Sequence, residues 1–162
     1  MINLLKKSLR RICGQKILVP IDGSETARSA LKYAVDLARQ TVSSIILLSV
    51  VDRSPYFGAP TVPSVSTPTH LLENLEDYLR QAAEAYVAEA EELCRTKGVE
   101  SQKIIWAGHP VEEILKAAED WKVDLIVMGS HGKSALGAAL LGSVTIGLIH
   151  SETKFPVLVV RR

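Results

Sequence analysis

Glycines and hydroxyl side chains near the C-terminal end are the residues of this chain whose types and spacing best suit chemistry. Residues 129–132 read Gly-Ser-His-Gly, and a second pair, Gly142 and Ser143, follows after nine residues. Glycine carries no Cβ, so the backbone amides of such a turn can approach an anion closely. Residues 144–149 are predicted to form a helix, whose first amides and dipole favour phosphate. The two clusters together predict a cradle for a polyphosphate.

Five apolar runs are the elements that must position this cradle. The predicted strands are 17–21, 45–51, 103–106, 123–128 and 155–160, and helical patterns separate most of them. Repeated alternation of strand and helix predicts right-handed crossovers and therefore an α/β fold. The expected product is a single doubly wound five-stranded parallel sheet with helices on both faces.

Three local signals mark the ends of these elements. Ser24 is a candidate N-cap for the first helix. Residues 71–97 are predicted to form one long helix, which Gly98 is well placed to end. The proline-rich residues 53–69 are predicted to be a loop, and a loop of this length is usually functional or mobile.

Length and composition limit the classes of protein to which the chain can belong. Its 162 residues fit one domain, and an apolar share of 47% is enough for a core. The 19 basic and 18 acidic side chains nearly cancel, which argues against a nucleic-acid partner. Two isolated cysteines favour a reducing cytoplasm, and no apolar run reaches the roughly 18 residues of a membrane span.

Residues 1–15 are predicted to be a basic N-terminal extension to a domain of residues 16–162. The extension has basic side chains and no acidic one, and its apolar residues recur at helical spacing. One interpretation is an amphipathic helix on an anionic membrane surface. The other, which we favour, is a frayed or docked terminal segment.

The glycine motif resembles the nucleotide-binding signature of the universal stress protein family: Gly, two residues, Gly, nine residues, Gly, then Ser or Thr. Residues 16–24 resemble the family's opening strand and turn, 45–52 its second strand and 155–160 its closing strand. The resemblance implies strand order 3-2-1-4-5, in which the winding reverses between strands 1 and 4. Ligands of open sheets bind at such a switch point, so Asp22 and Gly129 are expected at one crevice.

The resemblance further implies that this crevice holds ATP. Asp22 could accept hydrogen bonds from ribose hydroxyls, Pro20 and Ile21 supply apolar surface for the base, and Val50 matches the family's adenine-binding valine. The other predicted nucleotide-binding residues, several of them phosphate contacts, are Met128, Gly129, Ser130, His131, Gly132, Lys133, Ser134, Ala135, Gly142, Ser143, Val144 and Thr145. Simpler alternatives are a turn-forming Asp22, a solvated His131 and a helix capped by Ser143.

Other phosphate and metal motifs are absent from the sequence. Residues 132–134 end like a Walker A loop, but Val127 occupies the position of its first glycine. No G-x-G-x-x-G follows the first strand, which disfavours a dinucleotide. The histidines show no metal-ligand spacing, so Mg²⁺ is expected to be held mainly through the phosphates.

The sequence therefore favours a cytoplasmic protein that binds Mg-ATP as a nucleotide-dependent switch with little or no hydrolysis. Two alternatives stay open: a nucleotide-independent dimeric regulatory scaffold, and a weak nucleotide hydrolase with Asp22 and His131 as its acid-base candidates. An apolar edge strand predicts a homodimer, which the resemblance also implies. That strand contains Val157, Leu158, Val159 and Val160.

Overall fold

Parallel strands and helices alternate along the chain in this computed structural model, which describes residues 14–52, 69–132 and 141–161. The described elements are β1 (Lys16–Pro20), α1 (Glu25–Thr41), β2 (Ser44–Val51), α2 (Thr69–Thr96), β3 (Ser101–Ala107), α3 (Pro110–Asp120), β4 (Leu125–Gly129), α4 (Ser143–His150) and β5 (Val157–Val160). Most of the predicted loop and the extension up to residue 13 lie outside the described residues; Thr69, which was assigned to that loop, begins α2.

The strands form one parallel sheet of order β3-β2-β1-β4-β5, which confirms the predicted fold. Ile17 of β1 lies opposite Ile45 of β2 on one side and Leu125 of β4 on the other. The inner strands are continuous apolar runs because helices cover both of their faces. The switch point thus falls between β1 and β4, as expected.

Two apolar cores hold the helices against the sheet. On one face, α1 and α2 bury side chains such as Val35 and Val87 against Ile17 and Val127. On the other face, α3 and α4 bury Ile114 and Leu148, among others, against Leu18, Leu48 and Ile126. Cys94 lies in the first core, where burial raises the pKa of its thiol. Within the described residues, none of the helices has the length and apolar character needed to cross a lipid bilayer.

The predicted helix boundaries have the expected causes. The Ser24 hydroxyl accepts a hydrogen bond of 3.1 Å from the amide of Ala27 and so caps α1. Gly98 follows the end of α2 with φ of +69°, and the amide of Val99 donates to the carbonyl of Cys94. The left-handed conformation of Gly98 lets the carbonyls of the last helical turn find donors, and it turns the chain toward β3.

Val42, at the end of α1, carries backbone strain that contacts do not offset. Its φ is +51°, a region that a β-branched residue rarely adopts, and its side chain is 80% exposed. We expect Val42→Gly to raise the free energy of unfolding by about 0.5–1 kcal/mol, because glycine adopts this conformation without steric cost. Urea denaturation measures the change. Val42→Ala keeps a Cβ and should gain less; a less stable glycine variant would contradict the assignment.

Candidate functional site

A cavity of about 540 Å³ lies at the carboxyl ends of the inner strands, where the winding of the sheet reverses. This volume is within the usual range for a small-molecule site. Most of the residues predicted from sequence line it. They are Pro20, Ile21, Asp22, Val50, Met128, Gly129, His131, Gly132, Gly142, Ser143, Val144 and Thr145. The predicted contacts Lys133, Ser134 and Ala135 lie outside the described residues.

Ser130 is the predicted site residue that the structure places beneath the cavity rather than on its wall. The residue is only 4% exposed. Its amide donates to the carbonyl of Val160 at 2.9 Å, and its carbonyl accepts from the amide of Gly142 at 2.8 Å. Ser130 therefore joins three segments instead of presenting its backbone to a ligand.

The two halves of the glycine motif meet directly. Besides the Gly142–Ser130 hydrogen bond, a Cβ built on Gly142 would lie 2.9 Å from Cα of His131, closer than real side chains approach. Any other residue at 142 would push the start of α4 away from the turn after β4. The expected convergence of two distant bends on one pocket is confirmed.

Gly129 has a packing role that the sequence did not predict. A Cβ built there would lie 2.7 Å from the carbonyl carbon of Thr26, in the first turn of α1. The glycine is therefore required because β4 packs against the backbone of α1.

Two buried threonines fasten the turn after β4. The Thr26 hydroxyl donates to the carbonyl of His131, and the Thr145 hydroxyl donates to the carbonyl of Gly129 at 3.1 Å. These threonines are 2% and 1% exposed. The Thr145 hydroxyl thus has a partner within the protein, and its contact with a phosphate stays a prediction.

The N-terminus of α4 is open toward the cavity. Gly142, not Ser143, is its N-cap residue, and among the described residues no side chain caps the helix by a hydrogen bond. The alternative in which Ser143 caps α4 is therefore wrong. The amides of Ser143, Val144 and Thr145 precede the first intrahelical bond, which Ile146 donates to Gly142. They form a group of donors at the positive end of the helix dipole.

The remaining lining of the cavity consists of an apolar part and two acidic side chains. Val50, Leu48, Pro110 and Ile114 form much of the apolar part, and Asp22 and Asp52 supply carboxylates. Asp22 accepts a hydrogen bond from the amide of Ser24 at 2.9 Å. The described residues contain no group of three His, Cys, Asp or Glu arranged to hold a metal ion.

Sequence reasoning missed several lining residues. They are Ser24, Ala27, Leu48, Asp52, Pro110, Ile114 and Leu141. Asp52 directly follows β2, which is the neighbour of β1 on the side away from β4. Ligands of open sheets bind at the carboxyl ends of the strands near the switch point, and applying this rule to β2 would have predicted Asp52. In the sequence, Leu48 and Ile114 look like ordinary core positions. They line the cavity because they lie at the side of the core nearest the carboxyl ends of the strands.

The universal stress protein family profile matches residues 14–161 of this chain. The chain belongs to the universal stress protein family. Its relatives include the universal stress protein MJ0577 of Methanocaldococcus jannaschii, which is 39% identical over 155 residues, covering 91% of this chain and 95% of the relative.

Solved universal stress proteins share the fold of this member. The MJ0577 structure has a TM-score of 0.70 at 37% identity and covers 91% of this chain and 96% of its own. UspA from Lactobacillus plantarum has a TM-score of 0.77 at 26% identity, covering 92% and 99%. More distant members show the fold alone. One was solved in complex with cAMP, at 23% identity and TM-score 0.63, and covers 92% of this chain and 98% of its own.

Thr26 provides a test of how this universal stress protein holds its glycine turn. Thr26→Val keeps the side-chain shape but removes the donor to the His131 carbonyl. We expect the free energy of unfolding to fall by about 1–2 kcal/mol, the cost of leaving a shielded carbonyl without its partner. Urea denaturation reports the loss, and Thr26→Ser, which keeps the hydroxyl, is the control. A Thr26→Val variant as stable as the wild type would contradict the role of the hydroxyl.

Proposed function

We propose that this universal stress protein binds ATP with Mg²⁺ in the cavity at the switch point and works as a nucleotide-dependent switch in the cytoplasm. The observation that carries the proposal is the uncapped start of α4, whose amides lie against the turn at Gly132 on one wall of a 540 Å³ cavity. A phosphate chain is the ligand that such an arrangement of donors recognises.

The rest of the cavity suits the other parts of an adenine nucleotide. The apolar part near Val50, Leu48 and Ile114 offers surface for a base. Asp22 lies between this part and the glycine turn, where its carboxylate can accept from ribose hydroxyls. In this pose the base, the sugar and the phosphates follow one another from β2 toward α4.

Magnesium in this proposal is bound mainly by the phosphates and water. Mg²⁺ commonly uses few protein ligands when a polyphosphate is present. Water completes the coordination shell of the ion in this arrangement. Removing Mg²⁺ is therefore expected to weaken ATP binding without affecting the fold.

The cavity has little machinery for hydrolysis. Asp22, Asp52 and His131 are the lining side chains of the described residues that can exchange a proton, and a triphosphate also needs cationic groups that stabilise the transferring phosphoryl. We therefore propose binding with little or no turnover. Following ADP formation during incubation with ATP separates this function from a weak hydrolase.

The relatives support a nucleotide rather than a ligand-free scaffold. A member solved with cAMP has already been described, and one from Arabidopsis thaliana was solved with AMP bound, at 16% identity and TM-score 0.63, covering 91% of this chain and 92% of its own. Mass spectrometry of the small molecules released from the denatured pure protein identifies which adenosine compound this chain carries.

Ser143→Asp tests the phosphate position without endangering the fold. Ser143 is exposed, lines the cavity and is the first residue of α4. An acidic side chain there favours the helix but repels a phosphate chain, so we expect ATP affinity to fall at least about tenfold with unchanged or higher stability. Isothermal titration calorimetry with Mg-ATP measures the affinity.

Gln102→Glu is the matched control because it adds the same charge on an exposed position of β3, at the other end of the sheet. It should bind ATP like the wild type. Wild-type protein that neither carries nor binds a nucleotide would overturn the proposed function, and equal ATP affinity in Ser143→Asp would remove the phosphates from the start of α4.

We also propose that the protein is a homodimer paired through β5. Both β3 and β5 are edge strands, but they differ in character: β3 exposes Gln102 and Lys103, whereas β5 consists of valine and leucine that are all half-buried. A bare apolar edge is a hazard that pairing with a second copy removes. A two-fold axis beside β5 would achieve this.

Val159→Pro tests this interface without disturbing the sheet. The carbonyl of Pro156 accepts from Ile126 of β4 and that of Val160 from Ser130 just after β4, so the backbone groups of the alternate residues Val157 and Val159 point outward. Proline at 159 removes an outward donor only, and we expect light scattering at micromolar concentration to change from dimer to monomer. Val159→Thr keeps the donor and should stay dimeric; a monomeric wild type would contradict the interface.

A further inference from the structure

The turn between β1 and α1, residues 21–24, separates two cavities. Ile21, Asp22 and Ser24 line the cavity at the switch point. A second cavity of about 370 Å³ lies on the other side of the turn, between α1 and α2, and Gly23 lines it together with Ile21. Because Ile21 lines both spaces, only one layer of residues separates them, and the position of Asp22 depends on what supports this layer.

Two hydrogen bonds set the shape of the turn. Asp22 accepts from the amide of Ser24 at 2.9 Å, and the Ser24 hydroxyl accepts from the amide of Ala27 at 3.1 Å. Gly23 has φ of +77°, a left-handed conformation that glycine adopts without steric cost. Because both bonds join residues that are close in sequence, they determine how the turn is shaped rather than where it lies relative to the rest of the sheet.

The ring of Tyr86, from α2, lies against this glycine. A Cβ built on Gly23 would be 2.6–2.8 Å from three carbons of the ring, which are its nearest heavy atoms apart from the chain neighbours. Tyr86 is half-buried, lines the second cavity and follows the packing of α2 on the sheet, beside the fully buried Val87. An aromatic ring on a well-packed helix therefore supports the turn from the side away from the switch-point cavity.

On its inner side, the turn carries the Asp22 carboxylate against the glycine turn that follows β4. Oδ2 of Asp22 would lie 2.6 Å from a Cβ built on Gly132, so the carboxylate lies directly beside that residue. A movement of the turn into the second cavity would draw the carboxylate away from Gly132. The ring of Tyr86 opposes this movement because it fills the space behind Gly23.

We propose that Tyr86 is a positioning residue of the nucleotide site: its ring holds the turn at Gly23 so that the Asp22 carboxylate meets the ribose hydroxyls. The inference rests on the proposed nucleotide site and adds to it a residue of α2 that does not line that cavity. Tyr86 acts through Asp22, without touching the nucleotide. Its effect should therefore be confined to ligands that carry ribose hydroxyls, which distinguishes it from a general loss of stability.

The experiment compares the dissociation constants of Mg-ATP and Mg-dideoxy-ATP by isothermal titration calorimetry. The dideoxy compound keeps the base and the phosphates but lacks both hydroxyls that Asp22 is proposed to bind. We expect the wild type to bind ATP at least about tenfold more tightly, because hydrogen bonds to a carboxylate contribute this much. For Tyr86→Leu we expect the ratio to fall to about twofold through weaker ATP binding, with the affinity for dideoxy-ATP unchanged.

Two single variants and one double variant are the controls. Tyr86→Phe keeps the ring against Gly23 and should retain the wild-type ratio. Tyr78→Leu makes the same change at a residue of α2 that is 68% exposed and lines neither cavity, and it should also retain the ratio. In an Asp22→Ala background the two ligands should bind alike, and adding Tyr86→Leu should change neither affinity.

The outcomes distinguish the two proposals. A wild type that binds neither nucleotide overturns the proposed function, and the inference with it. Equal binding of both nucleotides by the wild type leaves the nucleotide site standing but overturns the contact of Asp22 with the ribose, and therefore the inference. A Tyr86→Leu variant with the wild-type ratio overturns the inference alone. An equal loss of affinity for the two ligands also overturns it, because Tyr86 would then support the cavity as a whole.

Discussion

The hydrogen bond from the amide of Gly142 to the carbonyl of Ser130 is the contact on which the site depends. It joins the turn after β4 to the start of α4, so that two groups of amides form one wall. Two further features favour this contact: glycine at 142 leaves room for His131, and Thr145 fastens α4 to the strand that precedes the turn. A larger residue at 142 would separate the two halves before it affected any ligand.

Two glycines of the motif are required by packing, each against a different part of the backbone. Gly129 admits the backbone of α1, and Gly142 admits the turn at His131; both are packing constraints that hold with or without a ligand. The proposed phosphate recognition belongs instead to the amides at the start of α4, which no side chain of the described residues caps. Some positions of a motif can thus be required by the fold and others by the ligand. The sequence pattern alone does not tell these two kinds of position apart.

Much of the fold was predictable because burial on both faces of a parallel sheet produces continuous apolar runs, separated by helices of a different period. The site followed from topology, since Asp22 and Gly129 had to meet once β1 and β4 were neighbours. The role of Thr26 was not predictable: a threonine in the first turn of a helix gives no sign of the carbonyl, distant in sequence, to which it donates. Leu48 and Ile114 were missed for a similar reason, because the sequence does not distinguish an apolar residue that lines a cavity from one in the closed core.

Ser130 connects the start of α4 with the edge strand β5. Its carbonyl is bonded to the start of α4, where the phosphates are proposed to bind, and its amide is bonded to Val160 at the end of the edge strand β5. Its hydroxyl reaches the ring of His131. A displacement of α4 by a ligand would act on β5 through two hydrogen bonds that share one buried residue. The strand proposed to pair with a second copy is therefore joined through Ser130 to the wall of the cavity proposed to bind the nucleotide.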